Sequence, residues 1–201
     1  MSSSSKIKRL DQIIIDGKEY DKVLFIHIPK TGGSSISNFI DTTTLDTWKK
    51  EKIHMHYSYD TAKVIENVPE DAFKFAVVRD PFTRAYSYYK HFNKINKINY
   101  TMNDFLNVVE GTESFKDTPL VQFTQSYYLY SEGKNQMNKT YRFEKLEEFE
   151  TDFGAKLGKD NKGLYTKEEY NIDYTNKIIN RVLDIYEEDF VNFGYSTEFG
   201  G

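Results

Sequence analysis

The chain contains no cysteine, which excludes a disulfide framework and any thiolate nucleophile or thiolate metal site. It has no surplus of basic charge either, with 27 Lys and Arg against 31 Asp and Glu and a formal net charge of −4. A general nucleic-acid binder needs the opposite balance. No apolar run approaches the roughly 18–20 residues that span a bilayer. The opening MSSSSKIKRL lacks the apolar core of a signal peptide. Together these absences predict a soluble, cytoplasmic protein with no transmembrane segment and no nucleic-acid partner.

What is present is enough for a real core. At 201 residues, 16% of them aromatic, the chain is most simply one domain. We read residues 22–201 as that domain. Residues 1–21 form an N-terminal extension in which Ile13-Ile14-Ile15 and Asp16-Gly17 suggest a small strand and turn.

The segment VLFIHIPKTGGSS, Val23 to Ser35, carries the strongest local signal. Val23 to Ile26 is a short apolar run of strand formers that stops at Pro29. Beyond the loop, Ile36, Phe39 and Ile40 fall at helical spacing. Strand, tight loop and helix start therefore follow in order. Gly32 and Gly33 let the backbone approach a bound group closely, the helix start offers N–H groups and a positive dipole end, and Lys30 adds a full charge. Lys30, Thr31, Gly32, Gly33, Ser34 and Ser35 together form an anion loop.

A second strand is expected at FKFAVV, Phe73 to Val78, followed by Arg79-Asp80-Pro81 and a helix over Phe82 to Phe92. Asp80 is its expected N-cap and Pro81 its first residue. Other helices are predicted from the end of the anion loop to Phe39–Leu45, weakened at Thr42-Thr43-Thr44, and from Asp60 to Ile65. Further helices are expected at Met102–Val109, ended by Gly111, at Leu146–Leu157, closed by Gly158, and as one run from Ile178 to Phe190 before Gly194. Thr140–Phe143 reads as a third strand, Lys134–Asn138 as a surface turn, Pro119–Tyr130 as mixed and Gly163–Tyr170 as a polar loop. Strands alternating with helices imply an α/β fold with a parallel sheet, whose ligands bind beyond the strand C-terminal ends. Both loops would then open on one edge, with Arg79 placed for a bidentate anion contact. Ser87 lies two turns beyond Asp80 on the same helix face. A ligand with two separated anionic groups suits this pairing: the first loop takes one, and Arg79 with Ser87 the other.

HIPKTGGSS, FAVVRDPFTRAYSYY, TYRFEKLEEF and YEEDFVNFGY together resemble the carbohydrate sulfotransferases, the group that includes heparan sulfate 2-O-sulfotransferase and its bacterial relatives. The resemblance runs from Lys22 to Tyr195. It implies a P-loop-NTPase-like three-layer sandwich with a central parallel sheet flanked by helices. It also implies 3′-phosphoadenosine 5′-phosphosulfate (PAPS) as donor, 3′-phosphoadenosine 5′-phosphate (PAP) as product, no required metal, and a hydroxyl acceptor, a glycan or small sugar conjugate. Carried over, Lys30 to Ser35 would hold the 5′-phosphosulfate, and Arg79 and Ser87 the 3′-phosphate. Lys30 would also stabilise the leaving oxygen. In the 2-O-sulfotransferase branch the base lies in a His-x-His segment, here His54-Met55-His56. We assign the base to His56, with His54 in reserve. Many bacterial members use a Lys-His pair near an Ala-Lys segment instead, and Ala62-Lys63 has no adjacent histidine.

Plainer roles compete with each assignment. Arg79 could pair with Asp80 or a sheet-edge carbonyl, Ser87 could be a surface serine, and His56 a loop histidine without chemistry. Arg84 is expected to make a surface salt bridge, His27 to orient the loop, and His91 to lie on a solvated helix face. Tyr86, Tyr88 and Tyr89 read as core. Lys90, Lys94 and Lys97 could form a basic strip. Two other functional classes compete with the sulfotransferase reading. A P-loop kinase or NTPase would need its lysine after the glycines and a strand-end acid for Mg²⁺, whereas Lys30 precedes Gly32 and Gly33. A non-catalytic nucleotide-binding module would bind PAP without turnover.

Overall fold

The computed structural model describes residues 13–20, 22–41, 46–47, 57–66, 70–112, 123–154, 156–157 and 166–200. Its centre is a four-stranded parallel sheet. Strands β3 (Lys22–Ile26), β4 (Asp46–Thr47), β5 (Phe73–Val78) and β8 (Lys139–Arg142) lie in the spatial order β4-β3-β5-β8. A short antiparallel hairpin, β1 (Ile13–Ile15) and β2 (Lys18–Tyr20), precedes it, turning through Asp16 and Gly17 at positive φ. A second hairpin pairs β6 (Tyr130–Ser131) with β7 (Lys134–Asn135).

The period of two along the inner strands divides the core. Val23 and Phe25 of β3, with Phe73, Phe75 and Val77 of β5, face one side. There they meet Ile36 and Ile40 of α1 (Gly33–Asp41), Phe149 of α6 (Leu146–Asp152) and Ile13 and Ile15 of the hairpin. Leu24, Ile26, Ala76 and Val78 face the other side, against Tyr59 and Ala62 of α2 (Tyr59–Glu66), Leu129 of α5 (Gln125–Leu129) and Phe193 of α9 (Glu187–Phe193). A sheet covered on both faces needs strands that are apolar throughout, and VLFI and FKFAVV are nearly that. Phe75 anchors the first face, with ring centroids 5.1 Å from both Phe25 and Phe153. Each such pair contributes about 0.5–1.5 kcal/mol beyond burial, enough to oppose a shift in strand register.

A third cluster lies among helices: α3 (Pro81–Asn96), α4 (Met102–Val109), α8 (Asn176–Ile185) and α9 pack Phe82, Tyr86, Phe105, Val182 and Phe190 together. Helix α3 begins as its sequence dictates. The Asp80 carboxylate accepts from the Thr83 amide at 2.8 Å, and Pro81 follows the cap.

The expected α/β fold with a central parallel sheet flanked by helices is the observed one. Several details differ. Lys134–Asn135 is a strand, because the turn falls at Glu132-Gly133, both at positive φ. Helix α6 stops at Asp152, where Gly154 takes a left-handed φ of 61°. The polar stretch before Tyr170 contains the start of helix α7 (Lys167–Asp173). Here the Thr166 hydroxyl accepts from the Glu169 amide and the Glu169 carboxylate from the Thr166 amide. The final run is two helices, broken where Tyr186 leaves helical geometry (φ −115°). Residues 1–12, 42–45, 48–56, 119–122, 158 and 163–165, on which other expectations fell, lie outside the described residues.

Candidate functional site

The anion loop sits at the C-terminal end of β3. His27 is buried and stacks on Phe25 with centroids 5.6 Å apart. Its ring fills the space beside Gly33, where an added Cβ would lie 2.0 Å from imidazole atoms. Only glycine fits there. Gly32 combines φ +82° with a hypothetical Cβ 2.9 Å from the Phe143 ring, so backbone strain and side-chain crowding both select it. The Thr31 hydroxyl donates to the Ile28 carbonyl at 2.9 Å and is fully buried, which turns it inward to brace the loop. Ser34 is exposed and Ser35 half-buried on the first turn of α1. Lys30 holds a left-handed φ of 68°, uncommon for a residue with a side chain. Burial, then the charges of Arg79 and Lys94, pull its ammonium below the usual lysine range.

Arg79, at the end of β5, ties the two loops together. Its guanidinium donates from Nη1 to the Lys30 carbonyl (3.2 Å) and from Nε to the Thr83 hydroxyl (3.1 Å). It also lies over the Phe143 ring, 4.4 Å from the centroid. Its backbone is clamped by buried Gln125, whose Oε1 accepts from the Arg79 amide (2.8 Å) and whose Nε2 donates to the Arg79 carbonyl (2.9 Å). Arg79 thus bonds a loop carbonyl, and that bond brings the Arg79 strand end against the anion loop. Ser87 is half-buried on α3, on the helical row that runs from Thr83.

Arg84 is a correction. It is 1% exposed, not a surface residue. Its Nε donates to the Pro29 carbonyl and its Nη2 to the Phe123 carbonyl, both at 3.2 Å, while Nη1 stands 3.8 Å from the buried Asp189 carboxylate. Asp189 also accepts from the amides of Gln125 and Ser126, each at 2.8 Å, and from the Ser126 hydroxyl at 3.0 Å. This buried network fastens Pro29 of the anion loop and the Gln125 clamp to α9. The sequence carried one usable sign of it: Asp189 falls on the apolar side of its helix with Tyr186, Phe190 and Phe193, where a carboxylate needs a buried partner.

His91 is a second correction. It is half-buried, in edge contact with Tyr88 (6.2 Å), and within range of the Lys30 and Lys94 charges. Lys90 turns away to Glu169 at 3.3 Å, so the three lysines do not act as one strip. Tyr86 and Tyr89 are buried, as expected, with the Tyr86 hydroxyl on Asp173. His54 and His56 lie outside the described residues; the chain re-enters at Tyr57, against the cluster that contains Ile28. An open cavity of about 700 Å³ beside α2 is lined by Asp60, Glu187, Glu188, Tyr127 and Ser126, with no lysine or arginine among its described lining residues. Its charge makes it unfit for a polyanion. Among the described residues no cluster of His, Asp and Glu could hold a metal ion.

A Lys-Thr-Gly-Gly loop at the end of one strand and an arginine at the end of the next thus lie at one edge of a parallel α/β sheet. The chain belongs to the sulfotransferase family, which it matches over residues 11–196. Comparison with curated proteins gave no match. Membership makes the protein a transferase of sulfuryl groups from a sulfate donor to a hydroxyl-bearing acceptor. No described helix is long and apolar enough to cross a membrane.

Proposed function

We propose that the donor is PAPS, that the acceptor hydroxyl belongs to a carbohydrate, and that His56 removes its proton. The bond between Arg79 and the Lys30 carbonyl carries the donor part of this reading, because it sets two cationic elements side by side at one end of the sheet. A nucleotide with a 5′-phosphosulfate and a 3′-phosphate matches them. Lys30, Thr31, Gly32, Gly33, Ser34 and Ser35 would hold the first group, and Arg79 with Ser87 the second. Phe143, under the Arg79 guanidinium, supports a place for the adenine beside it.

The reaction balances as a single in-line displacement. The acceptor oxygen attacks sulfur and its proton passes to the His56 imidazole, with His54 in reserve. The bond from sulfur to the bridging oxygen breaks, and PAP leaves with that electron pair. Lys30 stabilises the charge arriving on the bridging oxygen, an interaction strongest in the transition state. No metal is needed for these steps.

The test of the base is direct. His56→Gln should leave PAP affinity within about twofold while lowering transfer by about 10²-fold or more, the usual worth of a positioned base. Rapid-quench measurement of one turnover separates the two effects. If His54→Gln has that signature and His56→Gln does not, the base is His54.

A further inference from the structure

The row of α3 that begins beside Arg79 does not end at Ser87. Thr83, which holds Arg79 Nε, Ser87 and His91 stand four residues apart along the helix, and Lys94 follows a turn later. Residues so spaced share a helix face. Arg79, held by Thr83 at the start of this face, in turn bonds the Lys30 carbonyl. Lys30 and Lys94 are near enough to oppose each other's charge, and His91 feels both. Lys30, Arg79, His91 and Lys94 therefore converge from two loops and one helix.

We propose that His91 is a third point of the donor clamp, an imidazole that takes up a proton as the nucleotide settles on Lys30 and Arg79. The inference rests on the PAPS reading above. Among the described residues, His91 feels the Lys30 ammonium from the loop and the Lys94 ammonium from its own helix and touches the Tyr88 ring, while Lys90 is turned to Glu169 of α7. Burial and the two ammoniums hold the free imidazole below its ordinary range, so it is neutral at neutral pH. A ligand with two phosphate groups reverses the sign of the local field and favours the imidazolium. Binding then draws in one proton. Donor affinity rises as pH falls into the window between the free and bound values of His91, and this gain is lost above that window.

The test is calorimetric titration of PAP into the full chain, in buffers of different ionisation enthalpy, with His91→Gln alongside. Wild type should take up a proton near neutral pH. Its dissociation constant should fall by up to about tenfold for each pH unit of acidification, the limit for one proton. His91→Gln should take up fewer protons than wild type, by up to one, and show a correspondingly shallower pH dependence of affinity. Protons exchanged by the phosphates themselves, whose second pKa is about 6, cancel in the comparison. PAP binding without uptake in wild type, or uptake unchanged in His91→Gln, would overturn the role of His91 and leave the donor assignment standing. Failure of wild type to bind PAP at all would overturn both.

Discussion

Lys30→Ala is expected to lower the rate of sulfuryl transfer by about 10²–10³-fold, the range measured for removal of one preorganised charge or donor at a developing anion. The geometry makes this variant informative. Lys30 occupies a left-handed φ of 68°, and alanine meets the same backbone restriction there, so the substitution changes the ammonium without a new conformational demand. The Arg79 bond goes to the Lys30 carbonyl, which the variant retains. What is lost is a half-buried charge whose protonated form is already disfavoured by burial and by Arg79 and Lys94. Such a charge is held against its surroundings until an anion arrives. Single-turnover rates and PAP affinity measured together should show the rate falling far more than the affinity. Near-normal turnover would remove Lys30 from the transition state.

Asp189→Ala should cost about 3–5 kcal/mol of folding stability, the usual loss when one member of a buried ion pair is removed. For a chain of this size that is a fall of about 10 °C in the thermal midpoint. Arg84 would keep its buried charge without the carboxylate opposite, and the Gln125 and Ser126 amides and the Ser126 hydroxyl would lose their acceptor. The consequence reaches the site, because Arg84 holds Pro29 and Gln125 holds Arg79. Urea unfolding gives the stability and PAP titration the affinity. Both should fall. A loss under about 1 kcal/mol would mean that the network is a surface-like pair of little worth.

The parts of the fold that the sequence made legible are those where one local rule acts alone. VLFI and FKFAVV read as strands because a sheet covered on both faces leaves no polar alternation to interpret. The start of α3 was legible because Asp80, Pro81 and Thr83 are close in sequence and settle the cap among themselves. Helix α7 was not legible from its pattern, since none of its residues is buried, although Thr166 and Glu169 stand at capping-box spacing. The break between α8 and α9 was hidden because Ile178, Val182, Tyr186 and Phe190 are all buried, so the apolar stripe continues through a backbone that does not. At the site, the placement of the Lys30 loop and Arg79 at the ends of neighbouring parallel strands was legible. Their direct bond was not, because it joins positions 49 apart. His91 and Arg84 were misread for the same reason: a histidine between lysines and an arginine one turn into a helix look solvated until a distant loop or helix folds over them.

The most direct measurement supplies PAPS labelled with ³⁵S to the protein with a panel of sugar acceptors, beside an identical series with γ-³²P-ATP and Mg²⁺. The expected result is ³⁵S in an acceptor product from wild type, sharply reduced by Lys30→Ala, and no ³²P transfer. Phosphorylated product from ATP with no sulfated product from PAPS would contradict it.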